Sequence, residues 1–372
     1  MTLYPKLILE ALEKVRYPGS GKNIVEMGMI GDDIRINGKK VNFSILFEKP
    51  NDPFIKSVVK AAETAILTYI GEDIDIKGNI EVKTRQQPRP TVPEKILPGV
   101  KNIIAVSSGK GGVGKSTIAV NLAVALAQLG YKTGLLDADI YGPSIPKMFN
   151  KEEARPVLQH INGRDLIIPE ENYGVKILSI GFFVEKDNAL IWRGNMASNA
   201  IKQLVTDAHW GELDYLLIDF PPGTGDIHLT LVQTIGITGA IVVSTPQAVA
   251  LADARKGINM FTGEKVNVPV LGLVENMAWF TPAELPGNKY YLFGKEGCKQ
   301  LAEAMQLPLL GQIPIVQSIR EGGDDGKPVA CHANSVSGQA FFALAQEVIK
   351  QVEWRNERME PSRPVQVHDK VL

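Results

Sequence analysis

One nine-residue stretch, Gly109-Lys110-Gly111-Gly112-Val113-Gly114-Lys115-Ser116-Thr117, limits what this chain can fold into more than any other. It spells glycine, four residues, then Gly-Lys-Ser, with a second lysine, Lys110, near its start. A short apolar run, Ile103 to Val106, precedes it, and the helix-like Ser116 to Leu129 follows. That strand–loop–helix setting is what a phosphate-binding loop requires. The glycines let the backbone curl so that successive N–H groups point inward, and the helix N-terminus adds a partial positive charge. In such a loop Lys115 reaches the β- and γ-phosphates of a nucleotide, and the Ser116 hydroxyl ligates Mg²⁺.

Two downstream segments extend the same chemistry. Lys132 to Leu136 reads as a strand and runs into Asp137-Ala138-Asp139-Ile140-Tyr141-Gly142-Pro143-Ser144. Asp214 to Asp219 reads as a buried strand with an acid at its end, followed by Phe220-Pro221-Pro222-Gly223-Thr224-Gly225-Asp226. Ligands of open parallel sheets sit beyond the carboxyl ends of the strands, so acids there are placed to handle Mg²⁺ and an attacking water. A single strand-terminal aspartate is ordinarily a cap or a turn former. Asp137, Asp139 and Asp219, in that order after a phosphate loop, read instead as a nucleotide-hydrolase core.

The chain has 372 residues, which suggests two or three domains. A 44% apolar and 22% charged composition is ordinary for a globular protein, and a net charge of −1 gives no electrostatic case for nucleic acid or an acidic membrane as partner. No apolar run approaches the roughly 18 residues that would span a bilayer. The start, Met1-Thr2-Leu3-Tyr4-Pro5-Lys6, lacks the layout of an export signal. With Cys298 and Cys331 as its two cysteines, the chain has no disulfide framework, and a cytoplasmic location is the expectation.

Residues 84–99 carry four prolines in sixteen positions and read as a linker. Residues 1–83 before it read as a small α/β domain. Helices are expected over Pro5–Val15 and Pro53–Tyr69, strands over 34–37 and 40–47, and a closing strand over Asp73–Val82, where Ile74, Ile76, Ile80 and Val82 alternate. Residues 100–354 read as the phosphate-loop domain. Strands are expected at 102–107, 132–137, 175–180, 214–219, 239–244, 268–275 and 309–313, and the alternation with helices implies a mainly parallel sheet covered by helices on both faces. A hairpin is expected over Arg155–Ile168 around Asn162-Gly163, and a last helix over Gly338–Trp354. Residues 355–372, polar and broken by Pro361 and Pro364, read as a mobile tail.

Several motifs together resemble the Mrp/ApbC group of phosphate-loop ATPases, which carry and deliver iron–sulfur clusters. They are the doubled-lysine loop, the 137–144 segment, Trp192-Arg193-Gly194, the 219–226 segment, Leu251-Ala-Asp-Ala-Arg-Lys-Gly257 and Glu275-Asn276-Met277. The likeness spans residues 100 to about 350. Residues 1–83 look like the small iron–sulfur-assembly-associated domain that often precedes this ATPase in bacteria. The resemblance implies a homodimer in which Lys110 touches the partner's nucleotide. It also implies that Asp139 positions the attacking water, Asp219 joins the Mg²⁺ shell and Asn276 contacts adenine. ATP and Mg²⁺ are the implied cofactors, slow Mg²⁺-dependent hydrolysis the implied activity, and apo iron–sulfur proteins or assembly factors the implied partners.

One departure stands out. Family members usually carry Cys-x-x-Cys shortly after Glu-Asn-Met, and paired thiolates from two subunits would hold a bridging cluster. Here Thr281-Pro282-Ala283-Glu284 occupies that place, and glutamate oxygen is a poor substitute for thiolate. Cys298 and Cys331 are the remaining candidate ligands, doubled by a two-fold axis. Cys298, at the start of a helix over Gly297–Met305, could have a lowered pKa there. The plain alternative for each is a small, partly buried apolar residue. Two other functions stay open at this point: a nucleotide-gated assembly scaffold that holds no cluster, and a spatial-positioning ATPase on membrane or DNA. The second would want an amphipathic C-terminal helix or a basic face, which the tail does not offer.

Overall fold

The computed structural model describes residues 3–31, 33–47, 49, 51–84, 96–161, 163–183, 194–282 and 284–365. Asn162, Trp192, Arg193, Ala283, most of the proline-rich 84–99 stretch and residues 366–372 lie outside the described residues. The chain divides into two compact units, 1–92 and 93–372.

In the first unit, helices α1 (Pro5–Leu12) and α2 (Ile55–Tyr69) bury one stripe each, Ile8, Ala11 and Leu12 on α1 and Val58, Ala62, Ala65 and Ile66 on α2. They share a core with a sheet of β1 (Arg35–Asn37), β2 (Lys40–Phe47) and β3 (Ile80–Thr84) in the order β1-β2-β3. Alternation along β2 turns Val41, Phe43, Ile45 and Phe47 inward. The closing strand is shorter and later than the sequence suggests. Ile74 and Ile76 are buried, but their segment meets the sheet only at the Lys40–Asp75 bridge. A turn through Gly78, at φ +76°, then resets the chain before β3 pairs parallel to β2. Alternation signalled burial there, and the turn decided where the ladder begins.

The second unit is built on an eight-stranded sheet. Its first elements are β4 (Val100–Ser107), α3 (Lys115–Gln128), β5 (Thr133–Asp137) and α4 (Ile145–Met148). The hairpin β6 (Leu158–Ile161) and β7 (Arg164–Ile167) comes next, then β8 (Glu170–Asn172) and β9 (Val175–Ser179). There follow α5 (Gly194–Thr206), β10 (Leu213–Asp219), α6 (Asp226–Thr234), β11 (Gly239–Ser244), α7 (Ala248–Thr262) and β12 (Val270–Phe280). The unit closes with α8 (Gly297–Met305), β13 (Leu309–Ile315), α9 (Gln317–Asp324) and α10 (Val336–Arg358). Strand order is β13-β12-β11-β4-β10-β5-β9-β8, parallel except for the edge strand β8. The inner strands are apolar throughout because both faces are covered. Helix α3 is apolar nearly all round, from Ile118 to Leu126, and is correspondingly buried.

Two boundaries differ from expectation at the C-terminal side. Strand β12 runs on to Phe280, five residues past the expected end at Glu275. Helix α10 continues to Arg358, so residues 355–358 are not tail. Beyond it, residues 359–365 are not loose either: Val365 donates its N–H to the Val232 carbonyl at 2.8 Å and packs on the core. A side chain at Gly236 would meet the Ser362 carbonyl at 2.6 Å, so glycine there admits the returning strand of chain. Polarity suggested a mobile tail; a backbone docking site on α6 overrides it for these residues.

Candidate functional site

Register brings the acids together. Asp219 ends β10, with Val106 of β4 opposite on one side and Asp137 of β5 opposite on the other. The phosphate loop leaves β4 beside them and enters α3. Gly114 precedes that helix at φ +82°, a conformation side chains resist, and a Cβ there would lie 2.2 Å from Asn276 Nδ2. Gly109 has no such torsion but lies against α7, where a Cβ would collide with the Asp253 backbone at 2.1 Å.

Lys115 is only 6% exposed. Its Nζ donates to Asp219 Oδ1 at 2.6 Å and lies 3.8 Å from Asp139 Oδ2. The Ser116 hydroxyl donates to Asp219 Oδ2 at 2.6 Å, so both oxygens of that carboxylate are engaged. Burial pushes the Asp219 carboxyl upward in pKa, against the pull of Lys115 and Ser116. Asp137 is fully buried, and burial plus the neighbouring Asp219 charge push it up to about 8. It accepts from Ser179 Oγ at 2.9 Å and from the Asp139 N–H at 3.1 Å. Asp139 keeps one buried oxygen, Oδ1, with no hydrogen-bond partner among the described residues.

Lys115, Ser116 and Asp139 border a cavity of about 230 Å³ whose lining also includes Lys110, Gly111, Gly112 and Gly114. A larger, mainly apolar cavity of about 710 Å³ shares Gly114, Thr117, Ser144 and Met148 with it and extends over Met277, Leu292, Phe293 and Ile319. Lys110 is exposed and makes no ion pair among the described residues. Asn276 is buried, and its Nδ2 donates to the Val113 carbonyl at 2.8 Å, bracing the phosphate loop from β12 while lining the apolar cavity.

A buried, electron-rich nest of oxygen donors with a single lysine suits a hard cation. Among the described residues no three His, Cys, Asp or Glu side chains form a metal cage. Mg²⁺ asks for less, binding through one or two protein oxygens, waters and phosphates. Ser116 Oγ and Asp219 would be the protein oxygens nearest such an ion, and Asp139, with one unpartnered oxygen, lines the same cavity.

The cysteines are not part of this arrangement. Cys298, on the first turn of α8, is completely buried, its N–H donates to Glu275 Oε2 at 2.7 Å, and its thiol leans on the Thr245 carbonyl. Burial and Glu275 push its pKa well up, so the expected lowering at a helix N-terminus is corrected: apolar packing and a buried carboxylate outweigh the helix end. Cys331 is partly exposed on the turn Val329–Cys331, and burial raises its pKa too. Thr281, Pro282 and Glu284 follow the end of β12, where Phe280 and Tyr290 exchange backbone hydrogen bonds at 2.8 Å.

Sequence reasoning gave Asp137 no role separate from its neighbours, and none at all to Ser179, Glu275 or His228. Asp137 and Glu275 stood inside quoted motifs. Ser179 carries no local signal, because its contact is made across the sheet; His228 stands three residues after Gly225, a helix-capping spacing ordinarily signalled by Glu or Gln.

The sequence profile of the NUBPL iron-transfer P-loop NTPases matches residues 99–349, and that of an iron–sulfur cluster assembly protein matches residues 6–77. The chain is 43% identical over 348 residues to the iron–sulfur cluster carrier protein of Synechocystis, covering 93% of this chain and 97% of that one. It is 52% identical to the protein of that name from Escherichia coli, over 70% of this chain and 69% of the relative. Among solved structures, the nucleotide-binding protein in complex with ADP from Archaeoglobus fulgidus is similar, with TM-score 0.56 and 38% identity over 66% of this chain and 93% of that one. The Pyrococcus furiosus cell division ATPase MinD is similar at TM-score 0.50 and 25% identity, over 67% of this chain and 99% of that one.

Proposed function

The chain belongs to the NUBPL iron-transfer P-loop NTPase family, and from that membership we propose that it binds ATP with Mg²⁺, hydrolyses it slowly, and serves the carriage of iron–sulfur clusters to apoproteins. The observation that carries the nucleotide half is the buried Lys115–Asp219–Ser116 triad at the mouth of the phosphate loop. Phosphoryl transfer to water needs charge neutralisation and positioning more than covalent help. The incoming phosphates take Lys115 Nζ as their counter-charge, and the loop N–H groups cradle them. Ser116 Oγ and Asp219 would hold Mg²⁺, which would supply charge neutralisation for the phosphates. Asp139, with its unengaged oxygen, orients the water that attacks the γ-phosphorus, and ADP leaves with phosphate. The apolar cavity beside Asn276 accommodates the base.

Lys110 supports a homodimer with facing nucleotides, since its charge has no carboxylate partner within the described residues of its own chain. Light scattering with and without a non-hydrolysable ATP analogue checks this; a monomer in both conditions ends it. The cluster is cargo, and the chain's thiols fit it poorly. Cys298 is enclosed, Cys331 stands alone, and the 281–284 segment offers no thiol. Among the described residues, no helix is long and apolar enough to cross a membrane.

The test is steady-state hydrolysis alongside equilibrium ATP binding. Lys115→Ala is expected to lose ATP binding or lower turnover by about 100-fold or more, the scale set by removing one preorganised charge-stabilising donor. Asp139→Ala is expected to bind ATP and to hydrolyse it far more slowly. Thermal melting of both variants separates these effects from unfolding, because Lys115→Ala strips the buried cation that faces the Asp219 carboxylate. Full hydrolysis by a folded Lys115→Ala protein ends the assignment.

A further inference from the structure

Residues 220–225, between β10 and α6, press against the phosphate loop. Phe220 donates its N–H to the Val106 carbonyl at 3.0 Å, Gly223 donates to the Ser108 carbonyl at 2.9 Å, and Pro222 lines the phosphate cavity. One buried side chain that the reaction above leaves unused touches both ends of this segment. His228, on the first turn of α6, is 1% exposed. Its Nδ1 accepts the Gly225 N–H at 3.3 Å, and its ring packs on Phe220 with centroids 5.1 Å apart and planes 34° apart. Phe220 is the residue directly after Asp219, and its other side abuts Phe261 of α7 at 6.0 Å.

Because Nδ1 accepts, the ring proton sits on Nε2 and the imidazole is neutral. Burial, with the Lys115 charge behind it, keeps the ring neutral by lowering its pKa to about 4. Nε2 meets no hydrogen-bond partner of good geometry among the described residues, and the nearby Pro221 backbone, which favours a charged ring, offsets only part of the burial. This is one half of a capping box: the third helical side chain reaches back to the N-cap amide, a position ordinarily filled by Glu or Gln, while Gly225 has no side chain to reciprocate. A glutamate there would add a fourth carboxyl behind Asp137, Asp139 and Asp219. A neutral acceptor closes the turn without that repulsion.

We infer that His228 is a positioning residue for the hydrolytic site: by holding Gly225 and Phe220 together it fixes the 220–225 segment against the phosphate loop, and with it the placement of Asp219. The inference rests on reading this site as an ATPase. A displacement of about 1 Å in such a site can cost on the order of 100-fold in rate, so a side chain that never meets the substrate can still be read kinetically.

The full-length chain is tested as His228→Phe, which keeps an aromatic ring but removes the acceptor, and as His228→Gln, which restores an acceptor of the capping-box type. Steady-state hydrolysis and hydrogen–deuterium exchange of peptides spanning 220–228 in nucleotide-free protein are the readouts. His228→Phe is expected to lower kcat about tenfold with KM for ATP within about twofold, and to speed exchange in that segment; His228→Gln is expected to stay near wild type in both. His228→Met repeats the loss of the acceptor if the phenylalanine variant does not fold. Unchanged kcat and exchange in the folded Phe or Met variant overturns the inference. So does a glutamine variant as impaired as either, since packing rather than the hydrogen bond would then be at work. If wild-type protein hydrolyses no ATP, the ATPase reading fails by itself, and exchange alone decides whether His228 holds the segment.

Discussion

The phosphate loop, residues 109–117, and the segment 281–292 both leave the carboxyl edge of the sheet, the first from β4 and the second from β12, but they are bonded very differently. Around the first, Lys115, Ser116, Asp219 and Asn276 are buried or half-buried and joined by side-chain hydrogen bonds between 2.6 and 2.8 Å. Around the second, the ties are backbone turns, Leu285 N–H to the Pro282 carbonyl at 3.2 Å and Asn288 N–H to the Leu285 carbonyl at 3.0 Å, together with the Phe280–Tyr290 backbone pair and Lys289 over the Trp279 ring at 3.8 Å. Leu285, Tyr290 and Leu292 stand 43–61% exposed. The difference teaches where this chain has invested its polar groups. Charges are buried where a charged ligand completes their network, whereas exposed apolar side chains follow the Thr281–Glu284 stretch, where the Mrp/ApbC resemblance leads one to look for thiolates.

The largest effect that tests this contrast is a pH effect on stability. His228, pulled down to about 4 by burial and by the Lys115 charge, binds its proton less readily folded than unfolded. The unfolded chain therefore takes up more protons below the ordinary histidine value of 6.5, and stability falls as pH drops from there towards 4, by about 3 kcal/mol at the lower end. Asp137 runs the other way. Its carboxyl, held up to about 8, stays protonated in the folded protein while the unfolded one ionises, so stability falls as pH rises from about 4 to 8. The two slopes oppose one another in wild type below 6.5, and the histidine contribution is the difference between wild type and His228→Gln in denaturant titrations across that range. Parallel curves for the two proteins would mean that the network around the phosphate loop is looser than its burial implies.

A smaller effect compares the two segments directly. Asn276→Ala leaves the Val113 carbonyl without its side-chain donor, a loss of about 1–3 kcal/mol for a buried polar group. Coupled to the loop conformation, it is expected to weaken binding of a fluorescent ATP analogue about tenfold. Leu285→Ser, in the exposed segment, is expected to leave that affinity within about twofold. Equal losses in the two variants would erase the distinction. The smallest effect concerns thiol chemistry. In native protein an aromatic disulfide reagent is expected to label Cys331 slowly and Cys298 only after unfolding, because the thiolate is the reactive form and Cys298 is both enclosed and held as the thiol. Rapid native labelling at Cys298 would return it to the surface.

Much of the second unit is legible in local pattern. The phosphate-loop spacing, the apolar strand runs and the acids at their ends follow from it: glycines where the backbone must curl, continuous apolar residues where a strand is covered on both faces. Those signals mark Lys115, Ser116, Asp139 and Asp219 as neighbours in chemistry, though not in geometry. Expectation and fold part where local pattern and tertiary contact compete. Alternation through Ile74–Val82 signals burial, and a turn at Gly78 sets the start of β3. The polar stretch after Trp354 reads as loose, yet it finishes a helix and docks on α6. Only the folded sheet decides that Asp219 and Asp137 stand opposite one another, since inter-strand register is a long-range property and no spacing along the chain encodes it. The same holds for the burial of Cys298, for Asn276 on the Val113 carbonyl and for the burial of His228. The amino-acid sequence by itself settled which chemistry the chain carries. The tertiary structure decided which of its acids, amides and thiols can take part, because burial and register are fixed by contacts between strands and helices far apart in the chain.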